Sequence, residues 1–395
     1  MPLLRALLLT ASAIWIIVIG IVEWGRRHYP GLDAVEPKEV VQSRVSIVLA
    51  ARDEAMVIGQ TLMQLRNSGP IVSEIIVVDD RSTDSTSDQI AAVPDAHGRI
   101  LQIRINSLPQ GWMGKQYALW QGAKRASGDW ILFLDADSLL NPGAIKHAVS
   151  YAEARQLDYL SIVPTLCIRG AGARAFLGFF GFAIAMSLRL VLANLPSRRL
   201  PGIGIGAFQM VRRSQYFSIG GHGAVRQNAA DDVALAGRFK RMGCAIGIVM
   251  GGSFLTVHWY QNLPEVILGF EKNFYSLVDY RRSRLMGLFI VFAGLFFLPD
   301  LGMVMLRGPW WIINVLTIMM VWSEYWRLSQ AAINMGFIAP WLFLLMPFLF
   351  WFVMVRSVWR TERQQGIYWR GTFYPLAMLR NQTQNPAGSN RGEGQ

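Results

Sequence analysis

The sequence predicts an α/β protein whose mostly parallel sheet carries helices on both faces, with transmembrane helices at both ends of the chain. Between residues 45 and 164, short runs of Ile, Val and Leu alternate with stretches of helical spacing. Long apolar runs lie before and after that region. Of the 395 residues, 52% are hydrophobic and 16% are charged, which is more apolar than an ordinary soluble protein.

Five short apolar runs in the middle of the chain are predicted to be strands: 45–51, 74–80, 99–105, 130–137 and 158–164. Helices are predicted after the first four runs, at 56–65, 82–92, 115–126 and 141–154, the last with Pro142 in its first turn. Strands with near-continuous apolar residues are typical of parallel sheets, in which ligands bind beyond the carboxyl ends of the strands.

The N-terminal apolar run, 6–22, carries no charge and has about the minimum length that crosses a bilayer. A cleaved signal peptide is the alternative. The stretch 24–28 (WGRRH) follows at once and contains no small-residue cleavage site, which favours a retained anchor. Because this stretch is more basic than the single Arg5 upstream, the following domain is predicted to be cytoplasmic.

A second apolar region divides into three candidate spans, 285–306, 309–326 and 335–355. The last is the clearest, because residues 328–355 contain no ionisable side chain. Asp300, Glu324 and Arg327 weaken the first two, since charges in hydrocarbon are costly unless they are paired or near an interface.

The tail after residue 355 is rich in arginine and is predicted to be cytoplasmic. Three full spans would leave it outside, so we expect either that one of the three is re-entrant or interfacial, or that the number of spans differs. The predicted parts are an anchor at 1–26, a cytoplasmic domain at 42–283, a membrane region of two to three spans at 284–356 and a tail at 357–395, disordered from 383.

The net charge of +12 does not indicate nucleic-acid binding, because many basic residues flank apolar runs instead of clustering on a compact domain. That distribution favours an anionic membrane surface. The two cysteines, Cys167 and Cys244, are far apart in sequence and suggest neither a disulfide framework nor a zinc site.

Charged residues stand where three predicted strands end. Asp79 and Asp80 close the second strand, Asp135 and Asp137 close the fourth, and residues 52–54 follow the first. Because the carboxyl ends of parallel strands meet at one edge of a sheet, these side chains are expected on one rim. The alternative is that each acid caps the next helix, as Asp often does, but three strand ends together favour the rim.

Asp135 and Asp137 predict a cation site. In an extended chain, side chains two residues apart leave the same face. Two adjacent carboxylates repel, and one would protonate unless a cation lies between them. Mg²⁺ or Mn²⁺ suits such a pair, because these ions accept one or two carboxylates and complete their shell with water and phosphate oxygens.

Four segments in order carry a resemblance to a known family: VSIVLAARDE, EIIVVDDRSTDST, GWMGKQYALWQGAKRASGDWILFLDAD and ADDVALAGRFKRMG, between residues 45 and 243. The chain resembles the family-2 glycosyltransferases, inverting enzymes with the GT-A nucleotide-sugar fold. Within that family it is similar to membrane-anchored members such as carotenoid- and hopanoid-associated glycosyltransferases. The segment 267–277 and the apolar C-terminal region contribute to this narrower resemblance, which implies a multi-pass protein of a bacterial inner membrane.

The resemblance implies that Asp53 and Asp80 lie beside the base of the nucleotide, and that Asp135 lies near its ribose or the metal. The implied nucleotide-binding residues are Arg52, Asp53, Glu54, Asp79, Asp80, Lys115 and Asp135. For Lys115, a solvated position at a helix start is an equal alternative. The donor is expected to be a nucleotide sugar, with uridine diphosphate as the first choice.

By the same resemblance, Asp137 binds the divalent metal that bridges the diphosphate, and Asp232 is the general base on the acceptor, with Asp231 as its acidic neighbour. The chemistry is consistent with these roles, since a divalent ion neutralises the leaving diphosphate. The charge of Asp231 would raise the pKa of Asp232, whereas the dipole of the helix they begin would lower it, and the sequence leaves this balance open.

Three further features have more than one interpretation. Gly202, Gly204 and Gly206 do not form a dinucleotide fingerprint, because a strand follows them, and a glycine-lined approach to sugar or acceptor is expected instead. His258 is either a structural histidine or a late metal ligand. Residues 168–195 form either an amphipathic segment on the membrane or part of a core.

The predicted function is inverting transfer of a sugar from a nucleotide-diphosphate sugar to the hydroxyl or carboxyl of a lipid or lipid-linked acceptor. The Gln-x-x-Arg-Trp motif of processive synthases is absent after Asp232, so a single transfer is expected. The alternatives are a sugar nucleotidyltransferase, which would release pyrophosphate, and a non-catalytic membrane protein with a degenerate domain.

Overall fold

The computed structural model describes residues 2–29, 31–39, 41–95, 98–271, 274–369 and 371–384. The chain divides into two compact units. The sheet unit contains residues 29–166 and 192–258, and the helical unit contains the described parts of 1–28, 167–191 and 259–385. The sequence predicted one domain over 42–283, whereas the segments 167–191 and 259–283 group with the helices.

The strands in chain order are β1 Val45–Ala51, β2 Val72–Asp80, β3 Ile100–Ile105, β4 Trp130–Asp135, β5 Ser138–Leu140, β6 Tyr159–Val163, β7 Thr165–Cys167, β8 Phe208–Arg212, β9 Ile246–Met250, β10 Leu255–His258, β11 Gly366–Trp369 and β12 Thr372–Pro375. The α-helices are α1 Pro2–His28, α2 Ile58–Leu65, α3 Thr86–Ala91, α4 Gly114–Arg125, α5 Ala144–Ala154, α6 Ala171–Met186, α7 Arg189–Asn194, α8 Arg213–Ser218, α9 Asp231–Arg241, α10 Leu263–Glu271, α11 Arg282–Phe292, α12 Leu298–Met305, α13 Pro309–Ala332, α14 Met346–Gln364 and α15 Leu376–Gln384.

All five predicted strands are confirmed, with small shifts at their ends. The fourth stops at Asp135, because Ala136 and Asp137 form a turn. The predicted position of Pro142 is wrong, since α5 begins only after Gly143, whose φ of 84° stops the helix from extending toward Pro142. Of the tail predicted to be disordered from residue 383, residues 383 and 384 belong to α15 and the rest lies outside the described residues.

The main sheet has seven strands in the order β3-β2-β1-β4-β8-β6-β9. The β1–β2, β1–β4, β2–β3 and β6–β9 pairs are parallel, and only β8 runs antiparallel to its neighbours. The prediction of a mostly parallel sheet is therefore confirmed. A second sheet has the order β5-β10-β7, and β11 pairs with β12 in the helical unit.

Helices cover both faces of the main sheet. On one face, alternate residues of β1 such as Ile47 and Leu49 share a fully buried core with α2 and α5. On the other face, Gly122 of α4 lies against Val48 and Val78, where a Cβ would meet Val48 at 2.4 Å. This arrangement explains why the strands are apolar on both sides.

Three segments of the helical unit are long and apolar enough to cross a membrane: Pro2–His28, Arg282–Met305 and Ala339–Gln364. The predicted span 309–326 is part of α13, which is 24 residues long but lies outside this set. The segment 168–195 contributes α6, whose Phe176, Phe179 and Phe182 are almost completely buried. The core interpretation of α6 therefore agrees with the structure.

The contacts along α13 fix its direction. Arg5 lies over the Trp310 ring at 5.3 Å, and further along the same two helices the Ser12 and Thr317 hydroxyls are 2.8 Å apart. Arg327, near the end of α13, forms an ion pair with Glu23, near the end of α1. The two helices therefore run side by side in the same direction.

Two contacts place the last apolar segment. The Trp322 indole, midway along α13, donates to the carbonyl of Pro340 at 2.9 Å, so the segment Ala339–Gln364 begins beside the middle of that helix. At its other end, Glu362 accepts from Arg282 at 3.1 Å. The segment therefore ends beside the start of α11.

Candidate active site

The strand register brings the predicted rim together. Ala51 pairs with Asp79 across β1 and β2, and Ala50 pairs with Asp135 across β1 and β4. All three strands are parallel, so the charged residues after β1, β2 and β4 emerge at one edge of the sheet.

The loop after β1 is tied to the loop after β2. Asp53 has a left-handed backbone, with φ 53°, and its carboxylate accepts from the Thr83 amide at 2.8 Å. The Glu54 amide donates to the Thr86 hydroxyl at 2.8 Å. Arg52 lies beside Asp53, with 3.9 Å between Nε and Oδ2. These contacts hold Arg52, Asp53 and Glu54 at the rim, with the Asp53 side chain exposed.

The two acids that end β2 are buried. Asp79 has no exposed surface and accepts from the Ser82 amide at 3.1 Å, so it organises the turn after the strand. Asp80 accepts two hydrogen bonds from Arg81, at 2.7 and 3.1 Å. Gly114, the first residue of α4, lies against this carboxylate, where a Cβ would come within 2.3 Å of Oδ2.

Asp135 and Asp137 are not in the extended geometry that the sequence predicted, because Asp137 belongs to a turn fixed by a 2.6 Å hydrogen bond from the Thr61 hydroxyl to the Ala136 carbonyl. Their charges nevertheless act on each other. Burial, followed by the charges of Asp135 and Glu54, raises the pKa of Asp137 to about 6. A site that disfavours negative charge in this way stabilises a bound cation.

His258 follows the β10 residue Val257, which pairs with Ser138 of β5. His258 is thus the last residue of β10, next to the end of this register, and its side chain is exposed. In the part of the chain that the structure describes, no group of three His, Cys, Asp or Glu residues stands ready to hold a metal. The donor set nevertheless fits Mg²⁺ or Mn²⁺, which need only one or two carboxylates when phosphate oxygens supply other ligands.

Lys115 joins α4 to the end of β4. Its Nζ is 2.7 Å from Asp135 Oδ1, which favours a site role over a solvated helix start. Burial opposes its charge, but the carboxylates of Asp135, Asp231 and Asp232 raise the pKa of Lys115, so it is a cation. The loop before α9 docks nearby, where the Asn228 carbonyl accepts from Gln116 at 2.7 Å.

Asp231 and Asp232 begin α9 as predicted, and the pKa values of their carboxyl groups are shifted in opposite directions. Burial raises the pKa of Asp232 to about 7, and the charge of Asp231 acts in the same direction. The pKa of Asp231 is lowered, because Lys115 and His222 outweigh the opposing effect of burial. Burial and the like charge of Asp231 thus act on Asp232 in the direction that favours a base near neutral pH.

Gly206 lies where these side chains meet. Its amide donates to Asp232 Oδ2 at 2.9 Å. A Cβ at this position would be 3.3 Å from Asp135 Oδ2, 3.5 Å from Lys115 Nζ and 3.6 Å from Asp232 Oδ2. The structure thus brings the end of β4, the start of α4 and the start of α9 into one cluster, with the glycine segment at its centre.

Gly204 is expected to be intolerant of any side chain. A Cβ there would lie 2.3 Å from the Tyr159 hydroxyl and 2.4 Å from the Asp232 carbonyl oxygen, which is backbone. We expect Gly204→Ala to lower the free energy of unfolding by about 1–3 kcal/mol, measured by thermal and denaturant melts.

Gly59→Ala is the matched control for this prediction. Gly59 lies in α2, where a Cβ would have its nearest contact at 3.6 Å, so alanine should be neutral or stabilising by about 0.5–1 kcal/mol. Equal melting temperatures for Gly204→Ala and Gly59→Ala would contradict the close approach of Gly204 to the start of α9.

Sequence reasoning missed Gly206 as the centre of the cluster, and it missed His222 and Tyr216, which are fully buried near Asp231. A buried aromatic ring and a histidine in a glycine-rich turn are indistinguishable from core packing in one sequence. Their spacing along the chain from Asp231 matches no helix or strand period that would have pointed to them.

A mostly parallel sheet with acids at its rim, and a lysine–aspartate pair beside two buried acids, is consistent with a glycosyltransferase of the GT-A fold. Residues 46–214 match the family described as Glycosyl transferase family 2.

Similar proteins agree with this assignment. A 4,4'-diaponeurosporenoate glycosyltransferase of Staphylococcus haemolyticus is 23% identical over 67% of this chain and 70% of its own length. A protein of the same name from Staphylococcus aureus is 20% identical over 84% of this chain and 88% of its own. The mannosyltransferase PcManGT of Pyrobaculum calidifontis, solved with GDP-Man and Mn²⁺, has a TM-score of 0.54 at 17% identity and covers 90% of this chain and 99% of its own. This last likeness confirms the fold.

Proposed function

We propose that this protein transfers a sugar, with inversion, from a nucleoside diphosphate sugar to a lipid-like acceptor at a membrane, with Asp232 as the general base. One observation carries the proposal. Asp232 has a pKa of about 7 and meets the Lys115–Asp135 pair at Gly206, on the rim of a family 2 glycosyltransferase domain.

The donor nucleotide is assigned to the rim formed by the loops after β1 and β2. Asp53 is exposed there and held by Thr83, while Arg52 and Glu54 flank it. Asp80 lies deeper, beside the start of α4. Carboxylates in these positions can accept hydrogen bonds from a base or a ribose. Uracil is the expected base.

A divalent cation is assigned to Asp137 and Asp135, with His258 as a third candidate ligand. When bound, such an ion neutralises the charge that develops on the leaving diphosphate. Support comes from the raised pKa of Asp137 and from the mannosyltransferase PcManGT, whose structure was solved in complex with GDP-Man and Mn²⁺. Lys115 adds a fixed positive charge 2.7 Å from Asp135.

The acceptor is assigned as the hydroxyl or carboxyl of an apolar lipid. The two staphylococcal relatives are named for 4,4'-diaponeurosporenoate, a name that denotes a carboxylate. A carboxylate is already ionised at neutral pH and needs no base, whereas a hydroxyl does. The buried Asp232, with a pKa of about 7, is suited to accept a hydroxyl proton.

The membrane arrangement we propose is that of a multi-pass protein of a bacterial inner membrane with a cytoplasmic catalytic domain. In this arrangement α1 crosses the membrane from the outside to the cytoplasmic side. The helices α11 and α12 together cross back to the outside. Because α13 runs parallel to α1, it returns to the cytoplasmic side. The segment Ala339–Gln364 starts beside the middle of α13 and ends at Arg282, so it is re-entrant. The arginine-rich tail then stays cytoplasmic, as the positive-inside rule requires.

The pH dependence of transfer follows from these acids. A base works only when ionised, so kcat/KM for a hydroxyl acceptor should rise with pH through about 7 and then level off. At limiting Mn²⁺, protonation of the metal-free Asp137, whose pKa is about 6, should weaken metal binding and steepen the acid limb, and saturating Mn²⁺ should suppress this second effect. Initial rates from about pH 5.5 to about pH 9 at saturating Mn²⁺ measure this. A flat profile across neutral pH would contradict the role of Asp232.

The function itself is tested with detergent-solubilised protein, radiolabelled nucleotide sugars and a lipid extract as acceptor. Label should move into the organic phase, and a nucleoside diphosphate should be released in equal amount. Release of pyrophosphate would identify a nucleotidyltransferase instead. No transfer from any donor tested would overturn the proposal.

A further inference from the structure

A chain of buried polar side chains lies behind Asp231. Tyr216 of α8 and His222 of the following turn have no exposed surface, and Asp231 is 3% exposed. Polar groups this far from water must satisfy one another, since an unpaired buried group costs about 1–3 kcal/mol. The proposed mechanism uses Asp232, the neighbour of Asp231, but gives neither Tyr216 nor His222 a role.

The hydrogen bonds of Tyr216 favour one tautomer of His222. The backbone amide of His222 donates to the Tyr216 hydroxyl oxygen at 3.1 Å. The same hydroxyl is 2.9 Å from His222 Nδ1. Because the oxygen already accepts from the amide, its own hydrogen is free to be donated to Nδ1. The neutral ring then carries its proton on Nε2.

Nε2 of His222 faces Asp231. The distance from Nε2 to Asp231 Oδ2 is 3.8 Å, and neither atom has a hydrogen-bond partner within the described ranges. Burial lowers the pKa of His222, which keeps the ring neutral. The edge of Phe133 packs on the imidazole, with 4.7 Å between ring centroids, and limits its movement. At 3.8 Å the two atoms lie beyond hydrogen-bonding distance, and catalytic groups at such separations in a free enzyme often close to a hydrogen bond when substrate binds.

We propose that His222, oriented by Tyr216, is a positioning residue for the glycosyl transfer proposed above: its Nε2–H holds the Asp231 carboxylate in place beside the base Asp232. The charge of Lys115 and the imidazole of His222 both act on the Asp231 carboxylate. Without His222, Asp231 is free to turn toward Lys115, and its charge no longer acts on Asp232 from a fixed place. The role rests on the proposed function, because it acts through the base.

The first test compares His222→Gln, which keeps an N–H donor, with His222→Leu, which removes it. We expect His222→Leu to lower kcat by about 10- to 100-fold with the donor KM unchanged, and His222→Gln to keep most of the activity. In an Asp231→Asn background, His222→Leu should change kcat less than about twofold, because its effect passes through Asp231. Equal losses in both backgrounds, or equal damage from Gln and Leu, would overturn the proposal.

A second test needs no turnover. The chain has five histidines, so ¹⁵N-histidine labelling gives a spectrum simple enough to assign with His222→Gln. His222 should be neutral, with its proton on Nε2, from about pH 6 to about pH 8. Tyr216→Phe should release the Nδ1–H tautomer. A wild-type Nδ1–H ring, or titration at the ordinary pKa of about 6.5, would overturn the hydrogen-bond chain.

The two tests fail differently. If the wild-type protein transfers no sugar, the proposed function is wrong. The tautomer measurement would still decide whether Tyr216 and His222 are arranged as described. Melting temperature and Mn²⁺-dependent nucleotide binding show whether each variant folds. If His222→Leu does not fold, His222→Gln and Tyr216→Phe carry the comparison.

Discussion

Asp232→Asn should lower the rate of transfer to a hydroxyl acceptor by about 10³-fold, while the affinity for the nucleotide sugar stays within about twofold of wild type. Asparagine keeps the size of the side chain and can still accept from the Gly206 amide at 2.9 Å, so the cluster should stay intact. What is lost is the ability to take up a proton. Single-turnover rates at saturating donor measure the chemical step directly.

A change of acceptor provides a second test of this prediction. With an ionised carboxylate acceptor, Asp232→Asn should cost much less, because no proton has to be removed. Asp88→Asn is the matched control, since Asp88 is an exposed acid of α3 away from the cluster. Equal rates of transfer to a hydroxyl acceptor by Asp232→Asn and Asp88→Asn would show that Asp232 is not the base.

Asp137→Asn should weaken Mn²⁺-dependent binding of a nucleoside diphosphate by about 100-fold, equivalent to about 3 kcal/mol. The neutral amide no longer balances the cation. In the wild type, binding should also weaken as pH falls below about 6, because Asp137 then becomes protonated. The variant should lack this pH dependence. Calorimetric titrations with Mn²⁺ and with chelator measure both effects.

The controls distinguish a loss of metal binding from a loss of nucleotide binding. Binding measured in chelator should be weak and similar in wild type, Asp137→Asn and Asp88→Asn. His258→Ala should show a smaller loss than Asp137→Asn if the histidine is a third ligand, and no loss if it is structural. Unchanged Mn²⁺-dependent affinity in Asp137→Asn would place the cation elsewhere.

Much of the sheet unit could be predicted from the sequence, because its strands are short, apolar and separated by helical spacing. The rim could be predicted as well, since parallel strands with acids at their ends have only one edge on which to present them. Asp79 shows the limit of that reasoning. It stands at the expected edge, yet its carboxylate is completely buried and holds the turn.

The cluster could not be predicted, because it depends on contacts between segments distant in sequence. Lys115, Asp135 and Asp232 meet around Gly206, and no local pattern encodes that meeting. The turn at Asp137 is likewise set by Thr61, 75 residues upstream of Ala136. The sequence also could not say which of two neighbouring acids holds the proton, since the answer depends on burial and on Lys115.

In the membrane region, hydropathy alone favoured 335–355 over 309–326 as a span. The contacts of α13 show that it lies along α1 from Arg5 to Glu23, while the stretch 339–364 stays among the segments long and apolar enough to cross a membrane. The charges that weakened this helix in the sequence are paired, with Glu324 and Arg327 joined to each other and to Glu23. A window of hydropathy does not register such pairs.

The ion pair between Glu23 and Arg327 has a consequence for biosynthesis. The two residues are 304 positions apart, so at ribosomal rates Glu23 emerges roughly 15–60 s before its partner. In that interval Arg26, one turn away and 3.1 Å from the carboxylate, can neutralise it. As the proposed membrane anchor, the first helix can therefore be inserted early with a local counter-charge, and it acquires its long-range partner only after residue 327 has been translated.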